Sequence, residues 1–119
     1  MSNSLFINGV WLQGSGATFE KTNPVDNQTV WSGAEATATD VEQACQAART
    51  AFPAWARLPL AERVAIVEKF AALLEENKKH LAEVISQETS KPFWETLTEV
   101  QSMIGKVAIS IRAYHQRTG

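Results

Sequence analysis

The sequence contains a single cysteine, Cys45, so no internal disulfide can form, and a reducing, cytoplasmic setting is expected. No apolar run reaches the roughly 18 residues that a membrane-spanning helix needs, which sets aside a membrane role for the reading that follows. The opening residues, Met1-Ser2-Asn3-Ser4, have neither the basic region nor the apolar core of a secretory leader. Eleven Lys and Arg against 13 Asp and Glu leave a net charge of −2, so the chain lacks the basic excess of a nucleic-acid binder. There are two histidines, His80 and His115, and neither has a second ligand at metal spacing. Gly14-Ser15-Gly16 is not followed by a helix pattern, as a phosphate-binding loop would be. Internal repeats, low-complexity stretches and a Gly/Ser linker are also missing.

What is present is an ordinary globular composition, 45% hydrophobic and 20% charged, in 119 residues, enough for one domain. Four tryptophans in so short a chain signal a large aromatic area for core or interface. In Leu5 to Leu12, apolar triplets flank Asn8-Gly9, the pair that best accepts the positive φ angles of a two-residue hairpin turn. Strands are predicted over 5–7 and 10–12. A second pair is predicted over 18–23 and 29–33, around the turn chemistry of Pro24-Val25-Asp26-Asn27-Gln28.

From residue 39 the apolar period changes to that of a helix. Thr39-Asp40-Val41-Glu42 has the spacing of a capping box. Val41, Cys45, Ala48, Phe52 and Trp55 form one stripe, expected to pack, with Pro53 ending the helix near residue 52. Leu60, Val64, Val67, Ala71, Leu74, Leu81 and Ile85 continue as one helix over about 60–88, interrupted only by Lys78, whose stem can lie along apolar surface. Phe93, Leu97, Val100, Ile104, Val107, Ile111 and Tyr114 repeat in steps of four and three and predict a helix over about 92–116. Ser90-Lys91-Pro92 separates the two, with Ser90 as a cap and Pro92 as a helix start, so the stripes can meet as a helical hairpin. The fold class is therefore α+β and mainly helical, with antiparallel β-hairpins followed by three helices.

No catalytic constellation emerges from these residues. Cys45 on the apolar stripe reads as a buried, inert thiol. His80, beside Lys78 and Lys79, and His115 read as solvated surface. The apolar area of two long amphipathic helices exceeds what a monomer normally leaves wet, so a homo-oligomer is expected. On this reading alone the chain fits a self-contained helical interaction module as well as a part of something larger.

The order of these motifs resembles the N-terminal segment of the aldehyde dehydrogenase superfamily. Leu5-Phe-Ile-Asn-Gly-Val-Trp11 is similar to the family's opening hairpin, and Phe19-Glu-Lys-Thr-Asn-Pro24 to its Asn-Pro strand end. Where the family usually continues with Thr-Gly, this chain has Asp26-Asn27. Ala38 to Ala44, Ala47 to Trp55 and Leu60-Ala-Glu-Arg63 resemble the first helix and the start of the second. Glu88-Thr-Ser-Lys-Pro92 matches a Glu-x-Gly-Lys-Pro corner with Ser90 in place of glycine, from which we expect a corner that does not need a positive φ.

The resemblance implies that residues 1–119 are an incomplete part of the α/β NAD-binding domain of an enzyme several times longer, inactive on their own. It implies NAD as the full enzyme's cofactor and a small-molecule aldehyde as its substrate. In that chemistry a cysteine thiolate attacks the aldehyde, hydride passes to NAD, and a glutamate activates the hydrolytic water. The family's nucleophile, glutamate, oxyanion asparagine and cofactor loop lie beyond the matched segment, and Cys45 does not correspond to the nucleophile. Two carry-overs fall inside it. A structural cation would take the carboxylate of Glu88 and the backbone carbonyl of Thr22. Ser102, Met103 and Lys106 would border the substrate entrance, against the plainer reading that each is packed or solvated.

Overall fold

The computed structural model describes all 119 residues, Met1–Gly119, as two compact units, Met1–Arg57 and Leu58–Gly119.

The first unit begins with β1 (Leu5–Ile7) and β2 (Val10–Leu12), paired antiparallel with Phe6 opposite Trp11. Asn8 and Gly9 both have positive φ, 52° and 77°, so the two-residue turn twists with the strands. The Phe6 and Trp11 rings lie 5.1 Å apart on the solvent side. β3 (Thr18–Thr22) pairs antiparallel with β4 (Thr29–Ala34), with a register shift at Lys21/Thr22. Asn27 closes this turn at φ 58°, a left-handed conformation that asparagine tolerates better than most side chains. The Trp31 ring covers Gly33 so closely that a Cβ there would overlap it, and it meets Phe19 at 5.1 Å. The chain start joins β4 through the Ser2 N–H, which donates to the Ser32 carbonyl at 3.0 Å.

α1 (Ala38–Arg57) starts two residues earlier than the Thr39–Glu42 spacing suggests. Its capping box is Thr37–Asp40: the Asp40 N–H donates to Thr37 Oγ1 at 3.3 Å and the Thr37 N–H to Asp40 Oδ2 at 2.9 Å. The register is fixed from outside the helix, because the Ser15 N–H and hydroxyl also donate to Asp40 Oδ2, at 3.0 and 2.6 Å. Nor does α1 stop at residue 52. It runs through Pro53 to Arg57, carried one turn further by Ala51, Ala54 and Ala56, the strongest helix formers. The expected packing of its stripe is also corrected. No α1 residue is buried, and Val41, Cys45, Phe52 and Trp55 are all exposed, because β1 reaches only the start of α1 and leaves the rest of the stripe uncovered.

The second unit is α2 (Leu60–Glu76), α3 (Lys78–Thr89) and α4 (Phe93–Arg117), four helices in the chain rather than three. The expected helix over 60–88 breaks at Asn77 (φ −101°, ψ 9°), whose side-chain amide donates to the Leu73 carbonyl at 2.8 Å and competes with the backbone ladder. The stripe nevertheless keeps its register across the break, and both α2 and α3 pack on α4 as the predicted hairpin. The buried centre is small: Leu74, Ala82, Thr96 and Val100, the last three fully enclosed. Lys78 behaves as its place on the stripe suggests, half-buried with its ammonium donating to Gln101 Oε1 at 2.7 Å.

The corner between α3 and α4 overturns the expectation for Ser90. Its φ is 63° and ψ 13°, left-handed, and it ends α3 by donating its N–H to the Ser86 carbonyl at 2.9 Å. It does not cap α4, which Pro92 precedes without a side-chain cap. The Ser86 hydroxyl donates to the Lys91 carbonyl at 2.7 Å, and Lys91 pairs with Glu99.

Two outcomes follow. A left-handed non-glycine residue carries about 1–2 kcal/mol of strain, part of which glycine returns as unfolded-chain entropy. Ser90→Gly is therefore expected to stabilise the chain by up to about 1 kcal/mol in urea denaturation; an unchanged or lower midpoint contradicts the strained corner. Asp40 is held well below the usual carboxylate range, chiefly by the Ser15 hydroxyl and then by the Thr37 and Ser15 N–H groups. Its folded pKa is thus depressed, so its contribution to stability is present above the ordinary value near 3.9 and fades as pH falls below that. Carbon NMR of the Asp40 carboxyl is expected to show a midpoint well under the ordinary value, moving up in Ser15→Ala; a normal midpoint excludes the network.

Candidate functional site

The residues singled out from the sequence occupy different parts of the chain. Thr22 ends β3 at the register shift, in the first unit, and Glu88 sits half-buried in the last turn of α3, in the second. Nowhere do three His, Cys, Asp or Glu side chains gather as a metal-binding group. Cys45, His80 and His115 lie exposed, each remote in sequence from the others, and His115 meets only the ring of Tyr114, edge-on at 5.7 Å. The thiol is thus solvent-facing rather than enclosed, with no histidine or carboxylate hydrogen-bonded to it.

In the first unit, a shallow groove runs between the start of α1 and β1. It is lined by Leu5, Ile7, Ala36, Val41 and Ala44, with Asp40 at its edge. Asp40 has its Oδ2 saturated by the capping network and is a structural group. The groove therefore offers apolar surface without an available acid or base.

Ser102, Met103 and Lys106 are brought together by helix periodicity. Ser102 and Met103 lie four and three residues before Lys106, so Lys106 neighbours both on the helix surface. All three are exposed, Met103 at 43%. The Ser102 hydroxyl donates to the Thr98 carbonyl at 3.1 Å, which leaves its oxygen able to accept. Thr96 and Val100, on the side of α4 away from Ser102 and Lys106, are committed to packing, and Met103 borders them. This face can thus contact a solute with a hydroxyl oxygen, a thioether and an ammonium, and the Ser102 hydroxyl is engaged with the Thr98 carbonyl rather than with a base.

Sequence reasoning missed one feature of the second unit. Ile66, Phe70 and Leu73 form another apolar line on α2, away from the packed stripe, and all three are exposed. Their spacing of four and three was visible in the sequence. Nearby, Arg63 Nε is enclosed without a hydrogen-bond partner. An apolar line at helical spacing is the kind of surface that serves as a contact face.

The architecture and the motif order can be set against known proteins. A model of the aldehyde dehydrogenase family matches residues 11–119. The N-succinylglutamate 5-semialdehyde dehydrogenase of Acinetobacter baylyi is 66% identical over 116 residues, which is 98% of this chain and 24% of that protein. An NAD-dependent benzaldehyde dehydrogenase from Corynebacterium glutamicum has a TM-score of 0.87 at 28% identity, over 96% of this chain and 25% of that one. A point mutant of an aldehyde dehydrogenase from Bacillus cereus has a TM-score of 0.90 at 28% identity, over 100% of this chain and 25% of that one. The chain spans about a quarter of the length of the relatives it matches. By the family-model match over residues 11–119, nearly its whole length, the chain belongs to the aldehyde dehydrogenase family.

Proposed function

We propose that this chain is the N-terminal segment of an NAD-dependent dehydrogenase that oxidises N-succinylglutamate 5-semialdehyde to N-succinylglutamate, a step of arginine breakdown. The observation that carries the reading is the 66% identity to such an enzyme across 98% of the chain.

In this reading the segment is scaffold, an incomplete part of the cofactor-binding domain, and has no activity of its own. The thiolate, the water-activating glutamate and the cofactor loop belong to the rest of the polypeptide. Bound NAD would accept the hydride there. The residues of this chain contribute position: α2 and α3 hold α4, and α4 presents Ser102, Met103 and Lys106 toward the incoming aldehyde. The apolar lines left open on α1 and α2 are covered by the remaining polypeptide and by partner copies in a homo-oligomer. Glu88 and the Thr22 carbonyl are oxygen donors of the kind a hard cation takes, and they would supply two of its roughly six ligands.

The test is kinetic. The purified 119-residue chain, given NAD and aldehyde, is expected to produce no NADH. The full-length enzyme carrying it is expected to reduce NAD with N-succinylglutamate 5-semialdehyde. NADH from the short chain refutes the scaffold role. A full-length enzyme with higher kcat/KM for succinate semialdehyde reassigns the substrate.

A further inference from the structure

Five asparagines occur in the chain, and they differ in what restrains the side-chain amide and the backbone nitrogen that follows it. Asn23 precedes Pro24, which has no N–H, and its Oδ1 accepts the Val25 N–H at 3.0 Å. Asn27 precedes Gln28, whose N–H donates to Asp26 Oδ1 at 3.0 Å. The Asn77 amide donates to the Leu73 carbonyl at 2.8 Å, and Lys78 after it begins α3. Asn3 precedes Ser4, whose hydroxyl is held between the Ala34 carbonyl and the Gly14 N–H.

Asn8 has none of these restraints. With Gly9 it forms the two-residue turn that the Ile7–Val10 pair closes, and both residues are exposed. The Asn8 side chain makes no hydrogen bond, and the Gly9 N–H donates to no acceptor. Apart from its chain neighbours, no atom lies within 4 Å of where a Gly9 Cβ would stand, so the turn is open to water. The strands on either side are three residues each, and every residue of β2 is exposed. A hairpin so short opens locally at little cost, and opening frees the turn to rotate out of its left-handed conformation.

We propose that Asn8 is a site of spontaneous deamidation, with water as the co-reactant, and that the isoaspartate it yields unmakes the β1–β2 turn. The Gly9 nitrogen gives its proton to hydroxide and bonds to Asn8 Cγ. The Cγ–Nδ2 bond breaks, and ammonia leaves with a proton from water. Water then opens the cyclic imide on one of two sides. Cleavage at Cγ leaves aspartate, and cleavage at the backbone carbonyl leaves isoaspartate, with the chain running on through Cβ and Cγ. The sum is one water taken up and one ammonia released, without oxidant or reductant. Aspartate tolerates the left-handed φ of this position and preserves the turn. Isoaspartate puts an extra carbon into a turn whose length sets the register of its strands, so Phe6 no longer stands opposite Trp11.

The experiment ages the full-length polypeptide at mildly alkaline pH, folded and unfolded in urea. Its peptides are read by mass spectrometry, with fragmentation that separates isoaspartate from aspartate. Folded Asn8 is expected to lose most of its amide, faster as pH rises, while Asn3, Asn23, Asn27 and Asn77 keep theirs, and isoaspartate should be the larger product. Hydrogen exchange across Leu5–Leu12 should rise with age in the native sequence. It should stay flat in Asn8→Gly, which keeps a turn-forming pair without an amide to lose. An Asn8 amide that survives in the folded form overturns the site, and its loss in urea alone assigns the protection to the hairpin. Earlier loss at another asparagine of this chain overturns it equally. Isoaspartate at Asn8 with unchanged exchange overturns the unmaking of the turn.

Discussion

Where α3 meets α4, the hydroxyl of Thr96 lies 2.9 Å from the Ala82 carbonyl and 3.0 Å from that of Phe93. Ala82, Thr96 and Val100 are all fully enclosed at this contact. The small methyl of Ala82 permits the close approach, and the hydroxyl satisfies itself on backbone oxygen, so a polar atom is buried without an orphan. The remainder of the second unit is arranged around this pair. The break at Asn77 turns α2 so that Leu74 reaches the same centre, and the left-handed Ser90 returns the chain sharply enough for α4 to lie on α3.

Outside that centre, the apolar residues of the chain outnumber the neighbours available to cover them. Ile66, Phe70 and Leu73 on α2, Val41 and Phe52 on α1, and Trp94 on α4 all face outward. A protein of this size can leave scattered apolar residues wet, but lines at helical spacing mark contact surfaces. The chain spans about a quarter of the length of the relatives it matches, and on our reading these lines are covered by the remaining polypeptide. The site chemistry reflects the same division. Ser102, Met103 and Lys106 are exposed, and the Ser102 hydroxyl is engaged with the Thr98 carbonyl rather than with a base, so on our reading the reacting groups come from elsewhere in the polypeptide.

The periodic elements were legible in the sequence. Asn8-Gly9 specified its turn, and the four-three stripes of α2 to α4 gave the packed faces, because those signals are local and repeat. The departures each have a source that is not local. Thr37 rather than Thr39 caps α1 because Ser15, in a distant loop, donates to Asp40. Cys45 and its stripe are exposed because burial depends on what lies opposite, which spacing alone does not supply. Ser90 reads as evidence against a positive φ, yet the geometry of the corner imposes one and serine bears the strain. Of the candidate site, the grouping on α4 follows from helical spacing, whereas the placement of Thr22 and Glu88 in separate units does not follow from any motif.

The brevity of the Ser90–Pro92 connection has a kinetic consequence. Pairing α3 with α4 closes a loop of only a few residues, and such closures take on the order of tens of nanoseconds, with helix growth within about a microsecond. The bridge from Ser2 to Gly33 in the first unit must instead bring together residues 31 positions apart, after a strand pairing that itself takes microseconds. The helical pair is thus the early-forming part of this polypeptide, complete within its own unit before the long-range β contacts of the first unit close.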